Sequence, residues 1–472
     1  MGVTEQLARF GVESNTDFMT APLITSAKAK ILDTLATSLA GSKAPSTTIA
    51  LDTVRQLGGP ADATIIGSGE KTSLVNAGFV NGVAAHALEY DDITSGVGHV
   101  SGCILPGVLA VAEHSNLSGR QLIEGFAMGF EVFTRMAHGL RPQIIDRGWH
   151  PQAIIGGHGV AVAACRMLGL DAMTARMSMG IMASSVSGVR KNVGSMGKAF
   201  HVGNTVRAGL FAFMLARNQF QVDPDIIEGS GDVADGHERF GLADTFNGIG
   251  NHRLERMVDG LGGEFELAKN TTMVRLHPGS SAPAAAIDGM IDLVSAYDLR
   301  SDQVDSILLE CTPQCLSIAP YQEPVDVYKA KFCLPYTMAV AFLDRRVGLE
   351  QYSNARLSDP AVHAFMPLIR VIVPDDLQRH KGQWGENGVN WGEARLTVTL
   401  RDGRVLTQAC SHAKGWTERP CSWDDLCEKF EDCATRVLEK PQIREAIDLV
   451  KKLDELDSVR DLVRVLAPVK IT

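Results

Sequence analysis

The chain has 472 residues, of which 45% are hydrophobic and 21% are charged. This length corresponds to roughly two to four structural units of ordinary size, and the composition excludes a disordered or fibrous chain. The formal net charge of −10, from 45 Lys and Arg against 55 Asp and Glu, repels nucleic-acid phosphates and acidic membrane surfaces. The sequence has no basic patch that would offset this charge, so we expect neither a nucleic-acid nor a membrane partner.

The cysteines and the N-terminal residues indicate a reducing compartment. The nine cysteines include no Cys-x-x-Cys pair, and no histidine pair has zinc spacing, which argues against a disulfide scaffold and a zinc module. Glu5, Glu13 and Asp17 stand where a signal peptide would need a basic and then an apolar region. Every apolar run is far shorter than the ~20 residues of a membrane span. We therefore expect a cytoplasmic protein.

In chain order, the first half of the sequence is predicted to be helical. Between Pro22 and Gly41, apolar residues recur at spacings of three and four, and Pro and Gly mark the ends of the helix. Similar periodicity predicts helices over residues 75–88, 101–113, 118–140, 156–168, 174–187 and 208–216. The small residues in these segments are mostly Gly, Ala and Ser, which let helices approach closely. This pattern favours a tightly packed bundle.

After about residue 265 the pattern changes to mixed strands and helices. Short β-branched runs predict strands over residues 306–311, 368–373 and 395–400. Asp402-Gly403 lies between two alternating runs and predicts a two-residue hairpin turn. Helical periodicity predicts helices over residues 282–297, 336–343 and 359–365, and it returns over residues 422–466. An α+β module therefore follows the bundle, and the last segment could pack back on the first domain.

The first chemically interesting stretch runs from His86 to His99. Asp91 and Asp92 are adjacent carboxylates, and a Ser/Gly-rich connection leads from them to His99, just before a predicted helix. A loop of this kind presents titratable groups to a ligand. The adjacent acids also suggest a metal site, but the third acid that such a site normally needs is absent, so we predict no metal. The alternative is that Asp91, Asp92 and His99 cap helices.

Two further stretches carry basic and imidazole groups. His150 precedes a glycine-rich helix, at a helix N-terminus that favours an anionic ligand. Lys198 is flanked by glycines, on a segment predicted to lie between helices, and His201 follows it. Ala199 stands where a phosphate-binding P-loop requires Ser or Thr, which excludes that motif. Lys198 could bind a carboxylate or act as a base if desolvation lowers its pKa, and the alternative is a solvated lysine.

Arg275 is the candidate cation of the α+β module. It lies in the stretch Val274-Arg-Leu-His-Pro-Gly279, at the junction where the module begins. A guanidinium can bind a carboxylate through two parallel hydrogen bonds, and domain junctions are common places for pockets. The alternative is a structural ion pair.

Taken in this order, these stretches resemble the MmgE/PrpD family, which includes 2-methylcitrate dehydratase and cis-aconitate decarboxylase. The similarity covers nearly the whole chain, and six ordered matches at compatible spacing make a chance resemblance improbable. The stretches that carry it are Ile31-Leu-Asp-Thr-Leu-Ala-Thr-Ser-Leu-Ala-Gly41, Glu89-Tyr-Asp-Asp92 with His99-Val-Ser-Gly102, Trp149-His150-Pro151, Gly197-Lys198-Ala-Phe-His-Val-Gly-Asn204, Lys331-Phe-Cys-Leu-Pro-Tyr336 and the Asp402-Gly403 hairpin.

The resemblance implies a mainly α fold with two domains. A large all-helical domain is expected from residues 1–265 and 411–472, and a smaller α+β lid domain from residues 266–410. Family members are usually homodimers, and they act without a cofactor on small di- or tricarboxylates, from which they remove water or carbon dioxide. At least one kind epimerises an amino-dicarboxylate such as iminodisuccinate. These reactions all require proton transfer at a carbon near a carboxylate.

The resemblance also assigns roles to residues of this sequence. Asp91 or Asp92, His99 and Lys198 match the acid, histidine and lysine of the family site, and we assign all four to catalysis. The substrate-binding set is His150, His201 and Arg275. We hypothesise that Lys198 and Arg275 bind carboxylates while His99, oriented by an Asp, moves the proton.

Arg275 stands where decarboxylases and dehydratases of the family generally have Lys, and it cannot act as a base. Pro278-Gly-Ser-Ser-Ala-Pro-Ala also lacks the Cys- and His-containing stretch common in the family. The leading interpretation is therefore a cofactor-independent lyase of unspecified polycarboxylate, with an epimerase as the runner-up. A non-catalytic carboxylate-binding protein and a metal-dependent hydrolase using His86, Asp91, Asp92 and His99 remain as alternatives of other classes.

Overall fold

The computed structural model describes residues 1–230, 239–269, 271–380 and 392–468. The chain divides into two compact units, of which the first comprises Met1–Thr272 with Trp423–Thr472 and the second Met273–Ser422. The first unit is helical and is built from both parts of the chain that flank the second, which is α+β. The predicted mainly α fold class is confirmed. The sequence-based boundaries, at residues 266 and 410, and the lid role of the second unit stay predictions.

The helices and strands below are numbered in chain order. The α-helices of the described residues are α1 (Val3–Glu13), α2 (Ala21–Gly41), α3 (Pro45–Leu57), α4 (Leu74–His86), α5 (Ser101–His114), α6 (Gly119–Leu140), α7 (Gln143–Asp146), α8 (Pro151–Met167), α9 (Ala172–Ala183), α10 (Met196–Arg217), α11 (Leu242–Asn247), α12 (Glu255–Val258), α13 (Ala284–Ala296), α14 (Pro313–Ile318), α15 (Val327–Ala330), α16 (Leu334–Asp344), α17 (Asn354–Leu357), α18 (Pro360–Phe365), α19 (Trp423–Ala434), α20 (Lys440–Lys451) and α21 (Arg460–Val465). The strands are β1 (Ala63–Thr64), β2 (Lys71–Thr72), β3 (Ile93–Thr94), β4 (Gly229–Ser230), β5 (Arg239–Phe240), β6 (Thr272–Met273), β7 (Val304–Cys311), β8 (Ile369–Ile372), β9 (Ala394–Leu400) and β10 (Val405–Cys410).

The centre of the first unit is a group of helices that are buried on nearly every side. Helix α10 packs on α4 and α8, and α8 also packs on α6. Small residues make these contacts close, as the sequence pattern predicts. A Cβ atom added to Gly159 of α8 would lie 2.5 Å from the backbone oxygen of Gly129 in α6. Only glycine fits at this crossing, so it fixes the spacing of the two helices.

The segment near the C-terminus belongs to the first unit. Helix α19 packs on α2, and backbone hydrogen bonds join the segment to the start of α6. The amide of Gly119 donates to the carbonyl of Leu456 at 2.9 Å, and the amide of Val459 donates to the carbonyl of Leu117 at 3.0 Å. Within the described ranges, no helix combines the length and the apolar content needed to cross a membrane.

The second unit contains a four-stranded sheet with the order β10-β9-β7-β8. Strand β9 is antiparallel to β10 and β7, while β7 and β8 are parallel. Alternate residues of β9, from Ala394 to Leu400, are buried, and helix α13 packs on β9 and β10. The burial of one face of β9 in this mixed sheet accounts for the alternating pattern that predicts the strand.

The predicted two-residue turn at Asp402-Gly403 is wrong in length. The amide of Leu400 donates to the carbonyl of Arg404, and the amide of Gly403 donates to the carbonyl of Leu400, so the loop contains residues 401–403. Gly403 has a φ of +88°. This is a type I turn followed by a left-handed glycine, the usual three-residue alternative to the two-residue turn.

We expect Gly159→Ala to lower the free energy of unfolding by about 1 to 3 kcal/mol, because the new methyl group overpacks the crossing of α8 and α6 against a backbone atom. Urea denaturation followed by circular dichroism measures this change. Gln56→Ala, at an exposed position of α3, is the control and should change the value by less than about 0.5 kcal/mol. Equal stability of the two variants would contradict the tight crossing.

Candidate active site

The loop between α4 and α5 carries the two adjacent acids. Glu89, near the end of α4, has a φ of +55°, which turns the chain away from the helix axis. The amide of Thr94 donates to the carbonyl of Gly98 at 2.8 Å, and the hydroxyls of Thr94 and Thr272 lie 2.9 Å apart. A Cβ atom added to Gly98 would lie 2.2 Å from the side-chain Nε2 atom of Gln152 in α8. The loop is therefore fixed on several sides.

Asp91 is a fully buried carboxylate between two histidines. Its Oδ2 atom lies 2.8 Å from Nδ1 of His86 and 3.2 Å from Nδ1 of His99. Burial opposes ionisation of this carboxyl group, but the charges and hydrogen bonds of the two imidazoles outweigh burial and hold its pKa well below the usual range. Asp91 is thus a permanent anion that orients both rings.

The surroundings of His99 determine which ring nitrogen carries its proton. Nδ1 faces two acceptors, the Asp91 carboxylate at 3.2 Å and the Asp92 carbonyl oxygen at 2.9 Å. We therefore assign the proton to Nδ1, which leaves the lone pair on Nε2. Burial lowers the pKa of His99 to about 4, although Asp91 opposes this shift. His99 is consequently neutral at pH 7 and can accept a proton through Nε2.

The surroundings of Asp92 shift its pKa in the opposite direction from that of Asp91. Its side chain is fully buried, and the hydroxyl of Ser101 donates to Oδ2 at 2.5 Å, while Oδ1 has no hydrogen-bond partner among the described residues. Burial and the nearby Asp33 carboxylate raise the pKa of Asp92 to about 7, and Lys30 only partly offsets them. Asp92 therefore changes its protonation state near neutral pH.

Lys198 lies in the first turn of α10, which begins at Met196. The predicted placement on a segment between helices is therefore wrong. The glycines around Lys198 interrupt the helical pattern of the sequence. However, Gly203 packs closely on α4, because a Cβ atom added to it would lie 2.6 Å from the Phe79 carbonyl oxygen. Tertiary packing therefore overrides the low helix propensity of glycine. Nζ of Lys198 forms an ion pair with Oε2 of Glu89 at 2.5 Å.

His150 and His201 form a second pair of imidazoles. Their Nδ1 atoms lie 3.1 Å apart, so one ring donates a hydrogen bond to the other. Burial lowers the pKa of His150 well below its usual value, and the Lys198 charge adds to this shift. Burial also lowers the pKa of His201, with further contributions from His86 and Lys198. Both rings are therefore neutral at pH 7.

The imidazole pairs belong to one cluster. The ring centroids of His86 and His99 lie 4.6 Å apart, those of His86 and His150 6.3 Å apart, and those of His150 and His201 5.1 Å apart. His99 precedes the N-cap of α5, His150 is the N-cap of α8, and Lys198 is in the first turn of α10. The positive ends of three helix dipoles thus accompany the Lys198 cation, which favours an anionic ligand.

The structure brings six of the predicted site residues into the first unit around one cluster, namely Asp91, Asp92, His99, His150, Lys198 and His201. The capping alternative is wrong, because α4 ends at His86 with Ala87 as its C-cap, before both acids, and the N-cap of α5 is Val100 rather than His99. Arg275 lies in the second unit, where its Nη1 donates to the Gly279 carbonyl at 2.8 Å. Its assignment to substrate binding stays a prediction, as do the catalytic roles of the other residues.

Two residues of this cluster are missing from the predicted lyase site, and of these His86 enters the sequence analysis only in the metal-dependent alternative. His86 shares the Asp91 carboxylate with His99, and its Nε2 is buried without a hydrogen-bond partner among the described residues. Glu89 is the ion-pair partner of Lys198. His86 stands five residues before Asp91, at the end of α4, and this spacing from the acids was the available signal. Glu89 carried no signal of its own beyond its place in the motif.

One group of side chains in the described part of the chain is close enough to share a metal ion. The ligand atoms of His86, Asp91 and His99 all lie within 4.8 Å of one another. However, Nδ1 of His99 also faces the Asp92 carbonyl oxygen at 2.9 Å, and a metal on this nitrogen would remove that hydrogen bond. The donor geometry fits imidazoles that donate protons to Asp91 better than a ligand set, and we derive no step through a metal.

Comparison with known proteins gives the family. The profile of the MmgE/PrpD N-terminal domain matches residues 5–239, and that of the MmgE/PrpD C-terminal domain matches residues 277–455. The chain belongs to the MmgE/PrpD family. It is 24% identical to a cis-aconitate decarboxylase of Homo sapiens over 98% of this chain and 94% of the human protein. It is also 24% identical to a cis-aconitate decarboxylase of Aspergillus terreus, over 99% and 97% of the two chains.

The Asp92 environment predicts how stability depends on pH. The pKa of Asp92 rises from an ordinary value of 3.8 to about 7 in the folded chain. Between these values the folded chain keeps a proton that the unfolded chain has released, so stability falls as the pH rises through this range. In Asp92→Asn the side chain does not titrate, so this pH-dependent contribution to stability is absent. The free energy of unfolding of this variant relative to the unmodified chain should therefore increase by about 2 to 3 kcal/mol between pH 5 and pH 8.

Urea denaturation at pH 5, 6, 7 and 8 measures this difference directly, because contributions from the other titrating groups are common to both proteins. Asp305→Asn, at an exposed position of β7, is the control and should differ from the unmodified chain by a constant amount. If the difference for Asp92→Asn also stays constant with pH, Asp92 does not titrate as its surroundings require.

Proposed function

We propose that the protein is a cofactor-independent lyase that removes water or carbon dioxide from a small di- or tricarboxylate by proton transfer next to a carboxylate. The observation that carries this proposal is a neutral His99 whose Nδ1 is hydrogen-bonded to the Asp91 carboxylate and whose Nε2 has the lone pair. A base held in one orientation by a buried anion is the arrangement needed to move a proton at carbon. Family membership supports the same class of reaction.

In this mechanism Nε2 of His99 accepts a proton from the substrate, or returns one from its charged form. The imidazolium that forms is stabilised by the Asp91 anion, which already faces Nδ1. The electron pair released at carbon is delocalised into the neighbouring carboxylate, and the ammonium group of Lys198 offsets this growing negative charge. Asp92, with a pKa near 7, can exchange a proton near neutral pH, and we assign it to the acid–base set.

The preference for a polycarboxylate is supported by the charges around the cluster. The Lys198 ammonium and three helix N-termini favour anionic groups, and His150 and His201 add ring N–H donors. The Lys198 ammonium is bonded to Glu89, so a substrate carboxylate would compete with that side chain. Relatives named cis-aconitate decarboxylases make cis-aconitate the first acid to test.

The experiment is proton NMR of the purified protein in D₂O with cis-aconitate, 2-methylcitrate, citrate and iminodisuccinate. A new alkene, or carbon dioxide with a decarboxylated acid, supports the lyase. Deuterium that enters a carbon next to a carboxylate, with neither product, supports an epimerase instead. Binding of these acids without exchange or product would contradict catalysis and favour a carboxylate-binding protein.

An epimerase is the second candidate, and one observation favours it. His86 and His99 donate to the same Oδ2 atom of Asp91, and Nε2 of His86 is buried without a partner among the described residues. Two imidazoles that share one carboxylate provide two basic nitrogens. An epimerase needs a base on each face of a planar intermediate, whereas elimination needs one base and an acid at the leaving group.

A metal-dependent reaction is distinguished by a direct measurement. If His86, Asp91 and His99 held a metal, the purified protein would contain it in stoichiometric amount, and dialysis against a chelator would abolish turnover. The proposed mechanism uses only side-chain proton transfer, so we expect turnover to survive the chelator unchanged. Elemental analysis of the same sample provides the second readout.

We expect His99→Gln to lower turnover by about 10² to 10⁴, because it removes the group that moves the proton. Initial rates of product formation or deuterium exchange measure the loss. His114→Gln, at the other end of the same helix and with a side chain that is 45% exposed, is the matched control and should keep the full rate. Full turnover of a folded His99→Gln protein would remove His99 from the mechanism.

We also propose that the protein is a homodimer. Helix α10 exposes two pairs of apolar side chains on one face, namely Met196 with Phe200 and Phe211 with Met214, and the exposed Arg207 lies between the pairs. Exposed aromatic and Met side chains with an Arg among them are typical of a protein–protein interface. A second copy of the chain is the partner that the family resemblance implies.

Phe211→Asp should convert the dimer to a monomer, because it replaces an exposed aromatic side chain on this face of α10 with a charged one. Sedimentation velocity or light scattering at micromolar concentration measures the change in mass. Leu57→Asp removes a comparably exposed apolar residue from α3 and should leave the dimer intact. A dimer that persists in Phe211→Asp would show that α10 is not the interface.

A further inference from the structure

A buried lysine from the segment near the C-terminus contacts the loop that carries Asp91 and Asp92. Lys429 is on α19, and its Nζ atom lies 2.5 Å from Oδ1 of Asp33 on α2. The Lys429 and Asp33 side chains are only 2% and 0% exposed. Removing two charges from water is costly, and apolar side chains of similar size often stabilise a fold equally well. The pair therefore calls for an explanation other than stability.

The same ammonium group also contacts the residue that precedes the catalytic acids. Nζ of Lys429 donates to the Tyr90 carbonyl oxygen at 2.9 Å and lies 4.1 Å from the centroid of the Tyr90 ring. Tyr90 is followed directly by Asp91 and Asp92. An ammonium has three donors, and here two of them connect α2 to the backbone of the acidic loop. An apolar pair could not provide this connection.

The acid partner of Lys429 also influences the second catalytic acid. Asp33 is close enough to Asp92 that its charge raises the pKa of Asp92, and the buried Lys30 acts in the opposite direction. The Asp91 charge also raises the pKa of Asp92, by less than the Asp33 charge does. Lys429 therefore contacts both a backbone atom of the acidic loop and a carboxylate that acts on Asp92.

We propose that Lys429 is a positioning residue, which through Tyr90 and Asp33 fixes the turn that holds Asp91 against His86 and His99. This inference rests on the proposed function, because it assigns Lys429 to the geometry of the same proton-transfer site. Lys429 does not contact the reacting atoms. Its loss should displace Asp91, and displacements of about 1 Å at a catalytic group can cost about 10²-fold in rate.

The first test compares three variants by steady-state kinetics with the substrate identified by NMR. Lys429→Met should lower kcat by about 10²-fold and leave KM within about threefold, whereas Lys429→Arg, which keeps a cation with several donors, should recover most of the loss. Lys28→Met is the matched control, because Lys28 also joins α2 to the segment near the C-terminus, through Asp454 and the Lys451 carbonyl. It should keep the full kcat.

A second variant separates positioning from charge compensation. Lys429→Met alone leaves the Asp33 carboxylate buried without its cation, which can prevent folding. The double variant Asp33→Asn/Lys429→Met removes both charges but still lacks the donor to the Tyr90 carbonyl. We expect it to fold and to retain the loss in kcat. Full recovery of kcat in the double variant would show that Lys429 only neutralises Asp33, and it would overturn the inference.

A readout without substrate makes the inference independent of the assay. The ring N–H protons that His86 and His99 share with Asp91 give proton NMR signals far downfield, and His99→Gln identifies one of them. These signals should shift or disappear in the double variant and remain in Lys28→Met. If the unmodified protein converts none of the acids but the signals respond in this way, the proposed function fails and the inference on Lys429 stands. Unchanged signals in the folded double variant would overturn the inference.

Discussion

The candidate site depends on one buried anion, the Asp91 carboxylate. A carboxylate removed from water is normally protonated, because burial disfavours the charged form. Here two imidazole N–H groups face a single oxygen of Asp91 and outweigh burial. The same bonds fix both rings and place the His99 lone pair on Nε2. The tautomer of His99 and the ionisation of Asp91 are therefore consequences of one arrangement, whereas burial keeps the His99 ring neutral against the effect of Asp91.

Asp91 and Asp92 are adjacent in sequence, and their environments separate their pKa values. The Asp91 side chain faces two ring N–H donors, whereas the Asp92 side chain faces a hydroxyl donor and a second carboxylate, that of Asp33. One acid is therefore an anion at all physiological pH values, and the other titrates near neutrality. Neighbouring titratable groups whose environments move their pKa values apart commonly divide the acid and base roles of a reaction. The separation comes from the different partners of the two side chains, since among the described residues the Asp91 carboxylate is bonded to imidazoles and the Asp92 carboxyl group only to the Ser101 hydroxyl.

The sequence predicted those features that depend on local pattern. Helical periodicity located α2, α5 and α6 within a residue or two, because their buried faces are determined by spacing along the chain. The first turns of α10 were not predicted, since Gly197 and Gly203 lower helix propensity there and the close contact of Gly203 with α4 is a tertiary feature. Adjacent acids and nearby basic residues identified the candidate site. Their division into a permanent anion and a titrating acid was not predictable, because it depends on Asp33, 58 positions before Asp91 in the chain.

The contacts around the two acids include residues from distant parts of the sequence. Lys429 and Asp33 are 396 positions apart, and neither residue belongs to a motif that suggests chemistry. The second unit is inserted into the chain of the first, so α2 and α19 come from the two separate parts of the chain that form the first unit. The contact between α19 and α2 also involves the acidic loop, because the Lys429 ammonium that pairs with Asp33 also donates to the Tyr90 carbonyl. If α19 did not pack on α2, the chain would still contain every residue of the acidic motif. The Tyr90 carbonyl would lack its Lys429 donor, and on the proposal above Asp91 would no longer be held where it orients His99.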